Sequence, residues 1–152
     1  MKITEVRVKL LDDQPDKLRA FASITLDNYL VVRDLKIIEG ANGLFIAMPS
    51  RKLCDRCPGC GSKNHLRARY CNDCGKRQGE GRGFEDERGR PRLYADIAHP
   101  IHQEARAFVE AAVLEAYARE FERSKEEGYV ATSFDDLDYD SYQALDTAAA
   151  AE

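Results

Sequence analysis

The chain has 152 residues, of which 43% are hydrophobic and 33% are charged. A chain of this length can bury about two-thirds of its unfolded surface, and this composition is too apolar for a wholly disordered protein. No apolar run approaches the roughly 18 residues that a membrane span needs, and the first residues lack the pattern of a signal peptide. These features predict a cytoplasmic protein with a hydrophobic core.

The formal net charge of −4 conceals a strong segregation of charge along the chain. Residues 51–92 carry 12 basic and 6 acidic side chains, whereas residues 119–152 carry 3 basic and 10 acidic ones. Such an uneven distribution indicates a partner for the basic part of the chain, or an acidic tail that competes for it.

The first 50 residues have the pattern of a β-sheet. Apolar and polar side chains alternate with a period of two, which is typical of half-buried strands. Asp27-Asn28 fits a two-residue hairpin turn, because both residue types tolerate a positive φ. Residues 12–16 are expected to form a loop. The predicted strands are Thr4–Leu11, Arg19–Leu26, Tyr29–Glu39 and Leu44–Met48.

A fifth strand and a helix are predicted in the second half of the chain. Strand character resumes at Leu93–Ala98, and after Pro100 apolar residues recur every three or four positions. This period predicts an amphipathic helix of roughly 23 residues that ends near Gly128. The expected fold class is α+β: an antiparallel sheet followed by a C-terminal helix. Residues 1–50 plus 93–127 would form this domain, residues 51–92 would be inserted between strands 4 and 5, and residues 128–152 would form an acidic, flexible tail.

All five cysteines lie within the 21 residues from Cys54 to Cys74. Four of them form two Cys-x-x-Cys-Gly knuckles, Cys57 with Cys60 and Cys71 with Cys74, in which the glycine permits a positive φ. Thiolates three residues apart on a tight turn can bind one ion, and zinc prefers four ligands in a tetrahedron. The spacing predicts a zinc ribbon with one structural Zn²⁺ per chain and no open position for catalysis. Free thiols, disulfides and an iron–sulfur cluster are the alternatives.

Cys54 is the fifth cysteine and lies three residues before Cys57. It is either an alternate ligand or a spare thiol beside the site. The segment around it is poor in apolar residues, so the metal would supply the free energy that folds it.

The predicted ribbon is also strongly basic. Phosphates attract arginine and lysine regardless of base sequence, and the release of counterions supplies free energy for binding. A cationic surface that merely keeps the ribbon soluble is the alternative. The basic residues are Arg51, Lys52, Arg56, Lys63, Arg67, Arg69, Lys76, Arg77, Arg82, Arg88, Arg90 and Arg92.

Three segments outside the ribbon resemble the stage V sporulation protein G family of bacterial septation regulators. They are Ala22-Ser23-Ile24-Thr25-Leu26-Asp27, Gly43-Leu44-Phe45-Ile46-Ala47-Met48-Pro49-Ser50 and Asp96-Ile97-Ala98-His99-Pro100-Ile101. The resemblance covers about residues 1–51 and 93–120, in the order found in the family. The ribbon is a departure, because ordinary members have only a short loop at this point.

The resemblance implies a protein that dimerises through its sheet, binds DNA and RNA as a regulator, and has no enzymatic activity. The family places basic residues directly after Met-Pro-Ser, and Arg51 and Lys52 occupy those positions here. The family also links nucleic-acid binding to the adjoining helix, where Arg106 is the main cation of the first turns. Together with the charge pattern, this predicts phosphate contacts from Arg51, Lys52, Arg67, Arg69, Lys76, Arg77 and Arg106.

Two other functions compete with nucleic-acid binding. The chain could be an adaptor whose ribbon, or whose acidic tail, docks on a protein partner in cell division or transcription. It could also be an enzyme, but we expect none, since the sequence contains no open metal site and no recognisable catalytic constellation.

Overall fold

A computed structural model describes residues 1–11 and 16–134 of the chain. Two compact units are present: Met1–Ala47 together with the chain from Pro100 onward form unit 1, and Met48–His99 form unit 2. Within the described residues, no helix has both the length and the apolar character needed to cross a membrane.

Unit 1 contains a four-stranded antiparallel sheet in the order β1-β2-β3-β4. Each strand pairs with the strand that follows it in sequence, so the sheet is a simple meander. The strands are β1 (Ile3–Leu10), β2 (Leu18–Leu26), β3 (Leu30–Gly40) and β4 (Gly43–Ala47).

The turns of the meander follow from local residue chemistry. Asp27 and Asn28 both have a positive φ, of 50° and 59°, which confirms the predicted hairpin turn between β2 and β3. A β-bulge interrupts β3, where Ala22 pairs with Leu35 but Ile24 pairs with Val32. Asp34 lies in this bulge with a φ of 63°, a conformation that short polar residues tolerate better than most.

The helix α1 (Gln103–Arg123) packs on the sheet of unit 1, mainly on β1. Its buried face consists of Val109, Val113 and Ala116, at the spacing that an amphipathic helix requires. His102 caps its N-terminus, since its Nδ1 accepts a hydrogen bond from the Ala105 amide at 3.1 Å. The core side chains of the sheet are Val8, Ala20, Ala22, Ile24, Leu35, Ile37 and Ile46.

Unit 2 is built from short strands and turns. Three two-stranded antiparallel pairs are present, namely β5 with β10, β6 with β7, and β8 with β9. The strands are β5 (Ser50–Lys52), β6 (Cys54–Arg56), β7 (Lys63–His65), β8 (Phe84–Glu85), β9 (Pro91–Arg92) and β10 (Tyr94–Asp96).

The sequence predicted the α+β class, the antiparallel sheet and the single C-terminal helix, and the structure confirms all three. The strand predicted at 93–98 takes a different place from the one expected. It forms β10, which pairs with β5 instead of joining the four-stranded sheet, so unit 2 reaches from 48 to 99. Residues 12–15 of the predicted loop, and the acidic tail from 135 onward, lie outside the described residues.

Candidate metal centre and basic surface

The sulfur atoms of Cys57, Cys60, Cys71 and Cys74 form one cluster in unit 2, all within 4.8 Å of one another. The Sγ–Sγ distance is 3.7 Å between Cys57 and Cys74 and 3.5 Å between Cys60 and Cys71. A tetrahedral site with Zn–S bonds of about 2.3 Å has S–S edges of about 3.8 Å, whereas a disulfide bond measures about 2.05 Å. The four cysteines are therefore spaced to hold a metal ion.

Each pair of cysteines lies on a tight knuckle with the same backbone geometry. The Gly61 amide donates to the Cys57 carbonyl at 2.9 Å, and the Gly75 amide donates to the Cys71 carbonyl at 3.1 Å. Both glycines have a positive φ, of 78° and 74°, as the sequence predicts. A side chain at either glycine would be strained in this conformation, so the knuckle requires glycine.

Backbone amides point at the sulfurs from inside each knuckle. The Gly59 amide donates to Cys57 Sγ at 3.3 Å, and the Asp73 amide donates to Cys71 Sγ at 3.4 Å. Hydrogen bonds of this kind delocalise negative charge on a thiolate and so favour its ionised, metal-binding form.

Two buried amide side chains, which the sequence reasoning missed, support the cluster. Asn64 Nδ2 donates to Cys71 Sγ at 3.4 Å, and Gln78 Nε2 donates to Cys57 Sγ at 3.4 Å. Each residue follows the last cysteine of its own knuckle by four positions and binds a sulfur of the other knuckle. A signal for these amides was available in the sequence. The segment from Cys57 to Asn64 and the segment from Cys71 to Gln78 have the same spacing, two cysteines followed by an amide residue, and the second segment lies 14 residues after the first.

These contacts lower the pKa of the two buried thiols. The pKa of Cys57 falls to about 6, chiefly because the Cys60 amide donates a hydrogen bond to its sulfur, with a further contribution from Gln78. The pKa of Cys71 is lowered by the Cys74 amide and then by Asn64. The lowered pKa favours the thiolate form of Cys57 and Cys71, which is the form that binds metal.

The cluster cannot hold four negative charges without a cation. The Lys76 amide lowers the pKa of Cys74, but the neighbouring thiols and burial outweigh it and raise that pKa to about 11. Like charges a few ångströms apart repel, so full ionisation of the four sulfurs requires a bound cation.

Cys54 lies outside this cluster. Its thiol is exposed, and its Sγ donates a weak hydrogen bond to the Lys52 carbonyl at 3.5 Å. The structure therefore brings together the four cysteines of the two knuckles and leaves the fifth beside them.

Unit 2 presents cationic side chains to solvent. Among the described residues, only two ion pairs occur within this unit, Arg82 with Asp55 and Arg90 with Asp86. Six predicted phosphate ligands are exposed, and none of them forms an ion pair with a described residue. These six are Arg51, Lys52, Arg67, Arg69, Lys76 and Arg77.

Arg82 differs from the other basic residues of unit 2, because its side chain is only 16% exposed. Its Nη1 contacts Asp55 at 2.6 Å, and its Nη2 donates to the carbonyls of Leu66 at 3.2 Å and Ala68 at 2.7 Å. Its Nε donates to the Gly79 carbonyl at 2.8 Å. This guanidinium therefore connects several backbone segments within unit 2 and is little exposed to an external ligand.

Arg106 belongs to unit 1 and is half-buried. Its Nη2 donates to the carbonyl of Ile46 at 3.2 Å, which ties α1 to β4. On the same side of the helix, Glu110 Oε1 accepts from the Ile46 amide at 3.4 Å. Arg106 thus has a structural contact, and its role in nucleic-acid binding stays a prediction.

A four-stranded meander with one C-terminal helix, joined to a segment with a four-cysteine cluster, defines an α+β protein with a candidate metal centre. The family model SpoVG matches residues 1–119. The chain belongs to the SpoVG family.

Relatives from several organisms support this membership. A septation protein SpoVG of Clostridioides difficile is 42% identical over 117 residues, which cover 77% of this chain and 87% of that protein. The SpoVG protein of Bdellovibrio bacteriovorus is 38% identical over 120 residues, covering 79% of this chain and 76% of its own length. The SpoVG protein of Caldanaerobacter subterraneus is 38% identical over 126 residues, which cover 83% of this chain and 93% of that protein.

Proposed function

We propose that this chain is a dimeric, nucleic-acid-binding regulator of the SpoVG type, in which a zinc ribbon enlarges the cationic surface. The names of its relatives associate them with septation. Regulation of cell division or of gene expression is the role that we propose for this chain on that basis.

The exposed cations of unit 2 are the observation that carries the proposal. Six arginine and lysine side chains lie in the solvent without a described carboxylate partner, so their charge is available to an external polyanion. A protein that neutralises phosphates with such groups gains free energy from released counterions. Among the described residues, carboxylates pair with just two arginines of unit 2, Arg82 and Arg90.

Zinc is the metal that we propose for the four-cysteine cluster. Thiolates are soft ligands, and tetrahedral sets of four cysteines select zinc or iron. A site closed by four protein ligands serves folding and leaves no position for a reacting water, so we propose no catalytic role. Metal analysis of the purified protein should find about one zinc ion per chain, and iron or no metal would contradict the proposal.

A second copy of the chain is the partner that we propose for the sheet. In the described part of the chain, β4 pairs only with β3 and is therefore an edge strand. It also exposes Leu44 and Phe45, two large apolar side chains. Open edges and exposed apolar residues favour pairing with another chain. Analytical ultracentrifugation should give the mass of a dimer, and a monomer at micromolar concentration would contradict dimerisation.

Binding to DNA and RNA tests the main proposal. Fluorescence anisotropy should show binding of short strands and duplexes that weakens as the salt concentration rises. Changing Arg67 and Arg69 together to glutamine should weaken binding and lower the slope of log K against log salt by about 1.4 to 1.8, because two phosphate contacts are lost.

A matched control removes the same charge elsewhere in unit 2. Arg88 and Arg92 are exposed and form no ion pair among the described residues, so their double change to glutamine is the comparison. We expect a smaller loss of affinity from this control pair. Absence of binding by the native protein at low salt would overturn the proposed function.

A protein-interaction adaptor is the second candidate function. Unit 2 exposes Phe84, Tyr94 and Ile97, and exposed aromatic residues are common at protein interfaces. A protein partner that stays bound at high salt, in the absence of any nucleic-acid binding, would favour this candidate.

A further inference from the structure

A groove of about 660 Å³ lies on unit 2, beside the second cysteine knuckle. Two segments form its walls, residues 66–70 and residues 77–81. Three of its lining side chains are the exposed arginines Arg67, Arg69 and Arg77. The groove thus concentrates cationic groups in a concave surface.

Tyr70 is the aromatic residue of this groove, and 62% of its surface is exposed. Among the described residues its ring forms neither an aromatic pair nor a cation–π contact. A tyrosine with this much exposed surface presents a flat apolar face to whatever enters the groove.

The backbone holds Tyr70 in place. Tyr70 and Arg77 face each other in an antiparallel β-bridge that closes the second knuckle. Next to this bridge, the Gln78 amide donates to the Arg69 carbonyl at 2.8 Å, and the Cys71 amide donates to the Lys76 carbonyl at 2.9 Å. The ring is therefore carried by the same turn that carries two of the metal-binding sulfurs.

Arg82 links the two walls of the groove through hydrogen bonds to their backbone. Its guanidinium donates to the carbonyls of Leu66 and Ala68 in one wall and to the carbonyl of Gly79 in the other. One internal arginine thus fixes the backbone that displays the three exposed ones. Groups that are already held in place lose little conformational entropy when a ligand binds.

We propose that this groove binds an unpaired nucleotide of single-stranded nucleic acid, with the base stacked on Tyr70 and the flanking phosphates at Arg67, Arg69 and Arg77. The inference rests on the proposed nucleic-acid binding and specifies its substrate class. Single-strand binding proteins combine a cationic groove with aromatic rings, because every unpaired base offers a π-face for stacking. A duplex hides those faces and would use only the arginines.

Glu80 is the carboxylate that lines the groove. It forms no ion pair with a described residue, so it stays a negative charge near the expected phosphate path. The arginines outnumber it, and the net charge of the lining side chains remains positive.

The affinity experiment compares Tyr70→Ala and Tyr70→Phe with the native protein. The probes are a mixed-sequence strand of about 12 nucleotides, as DNA and as RNA, and the corresponding DNA duplex. Tyr70→Ala should weaken single-strand binding by about 5- to 150-fold, the loss expected for one stacked base. Tyr70→Phe should retain binding because its ring also stacks, and the duplex affinity should change less than about twofold because the phosphate contacts remain.

A fluorescence experiment reports stacking at the same position. The chain contains no tryptophan, so Tyr70→Trp introduces a single indole into the groove. Single strands should quench its fluorescence over the same concentration range as the anisotropy change, and the duplex should not. Tyr29→Trp is the control, since Tyr29 lies in unit 1 with 95% of its surface exposed, and its fluorescence should stay constant.

The outcomes separate this inference from the function on which it rests. Unchanged single-strand affinity in Tyr70→Ala, with zinc content equal to that of the native protein, overturns the groove assignment alone. Equal quenching by duplex and single strand also overturns it. No binding of any probe by the native protein overturns both proposals. The DNA and RNA arms show which type of single strand the groove prefers.

Discussion

At the residue scale, Asn64 shows how a buried amide supports the cluster of four cysteines. Its Nδ2 donates to Cys71 Sγ and to the Ser62 carbonyl, and its Oδ1 accepts from the Asn72 amide at 2.9 Å. One side chain thus satisfies polar groups of both knuckles. Buried polar groups that lose such a partner carry the full cost of desolvation, about 1–3 kcal/mol.

Replacing Asn64 by alanine tests this role. Metal affinity should fall by about 10- to 100-fold, because the Cys71 thiolate loses a donor and the Asn72 amide loses its acceptor. Competition with a chromophoric chelator measures the affinity. Asn72→Ala is the control, since the Asn72 side chain is exposed and we expect unchanged affinity. Equal affinities for both variants would refute the role of Asn64.

The two kinds of cysteine in unit 2 give a second prediction at this scale. Cys71→Ser removes a buried sulfur of the cluster and should reduce the bound metal well below one ion per chain. Cys54→Ser should leave the metal content unchanged, because this sulfur lies outside the cluster. Metal content per chain, measured by mass spectrometry with inductively coupled plasma, distinguishes the two. Loss of metal in Cys54→Ser would assign that thiol as a ligand.

At the scale of elements, a network around Glu120 fastens the chain that follows α1 back onto the helix. Glu120 Oε1 accepts from Arg123 at 2.8 Å, from Tyr129 at 2.6 Å and from Thr132 at 3.1 Å. Arg123 also lies over the Tyr129 ring, 5.0 Å from its centroid. The described beginning of the predicted tail therefore packs against the helix of unit 1.

Stability should depend on pH through Glu120. The hydrogen bond from Arg123 lowers the pKa of this carboxyl below its ordinary value of 4.5, with further contributions from Tyr129 and Thr132. A carboxyl whose pKa is lower in the folded state stabilises that state above the unfolded pKa, and the stabilisation disappears as the pH falls through the folded pKa. We therefore expect the contribution to be complete at pH 7 and to decline below pH 4.5.

Glu120→Gln isolates this contribution. At pH 7 the free energy of unfolding of the variant should be about 1 kcal/mol lower than that of the native chain. This difference in stability should shrink in acid, where Glu120 of the native chain becomes protonated. Thermal unfolding followed by circular dichroism provides the comparison. Glu122→Gln is the control, because Glu122 is exposed and, among the described residues, its carboxylate pairs only with Lys125. A difference that persists unchanged in acid would contradict the assignment.

At the scale of the whole molecule, the two units differ in what stabilises them. Unit 1 buries aliphatic side chains between its sheet and α1, such as Leu35, Ile37, Ile46 and Val113. Among the described residues, unit 2 buries Pro49, Cys57, Asn64, Cys71 and Gln78, none of which is a large aliphatic residue. The described part of unit 2 therefore lacks an aliphatic core, and we expect the proposed metal to supply much of its folding free energy.

Removing the metal should unfold unit 2 and leave unit 1 intact. After chelation, trypsin should cleave between residues 48 and 99, where arginine and lysine are frequent, while the sheet and α1 stay protected. Mass spectrometry of the fragments locates the cuts, and readdition of zinc should restore resistance. Equal resistance with and without metal would contradict the proposed dependence.

The sheet, the helix and the cysteine knuckles are determined by local sequence. Strands β1 to β4 follow from alternating side chains, α1 from its 3.6-residue period, and the knuckles from glycine after each cysteine pair. Each of these signals lies within a few neighbouring residues, so no knowledge of distant contacts is needed. The resemblance to the SpoVG family was likewise visible in three short segments, and the family model that matches residues 1–119 confirms it.

Pairing over long distances was decided only by the tertiary structure. The sequence marks 93–98 as a strand, but its partner β5 lies about 40 residues earlier, and an alternating pattern does not specify which edge a strand joins. Arg82 and Arg67 likewise look alike in sequence, and only the folded chain buries one guanidinium among carbonyls and exposes the other. Burial depends on which segments meet in space, and that is a property of the packed molecule.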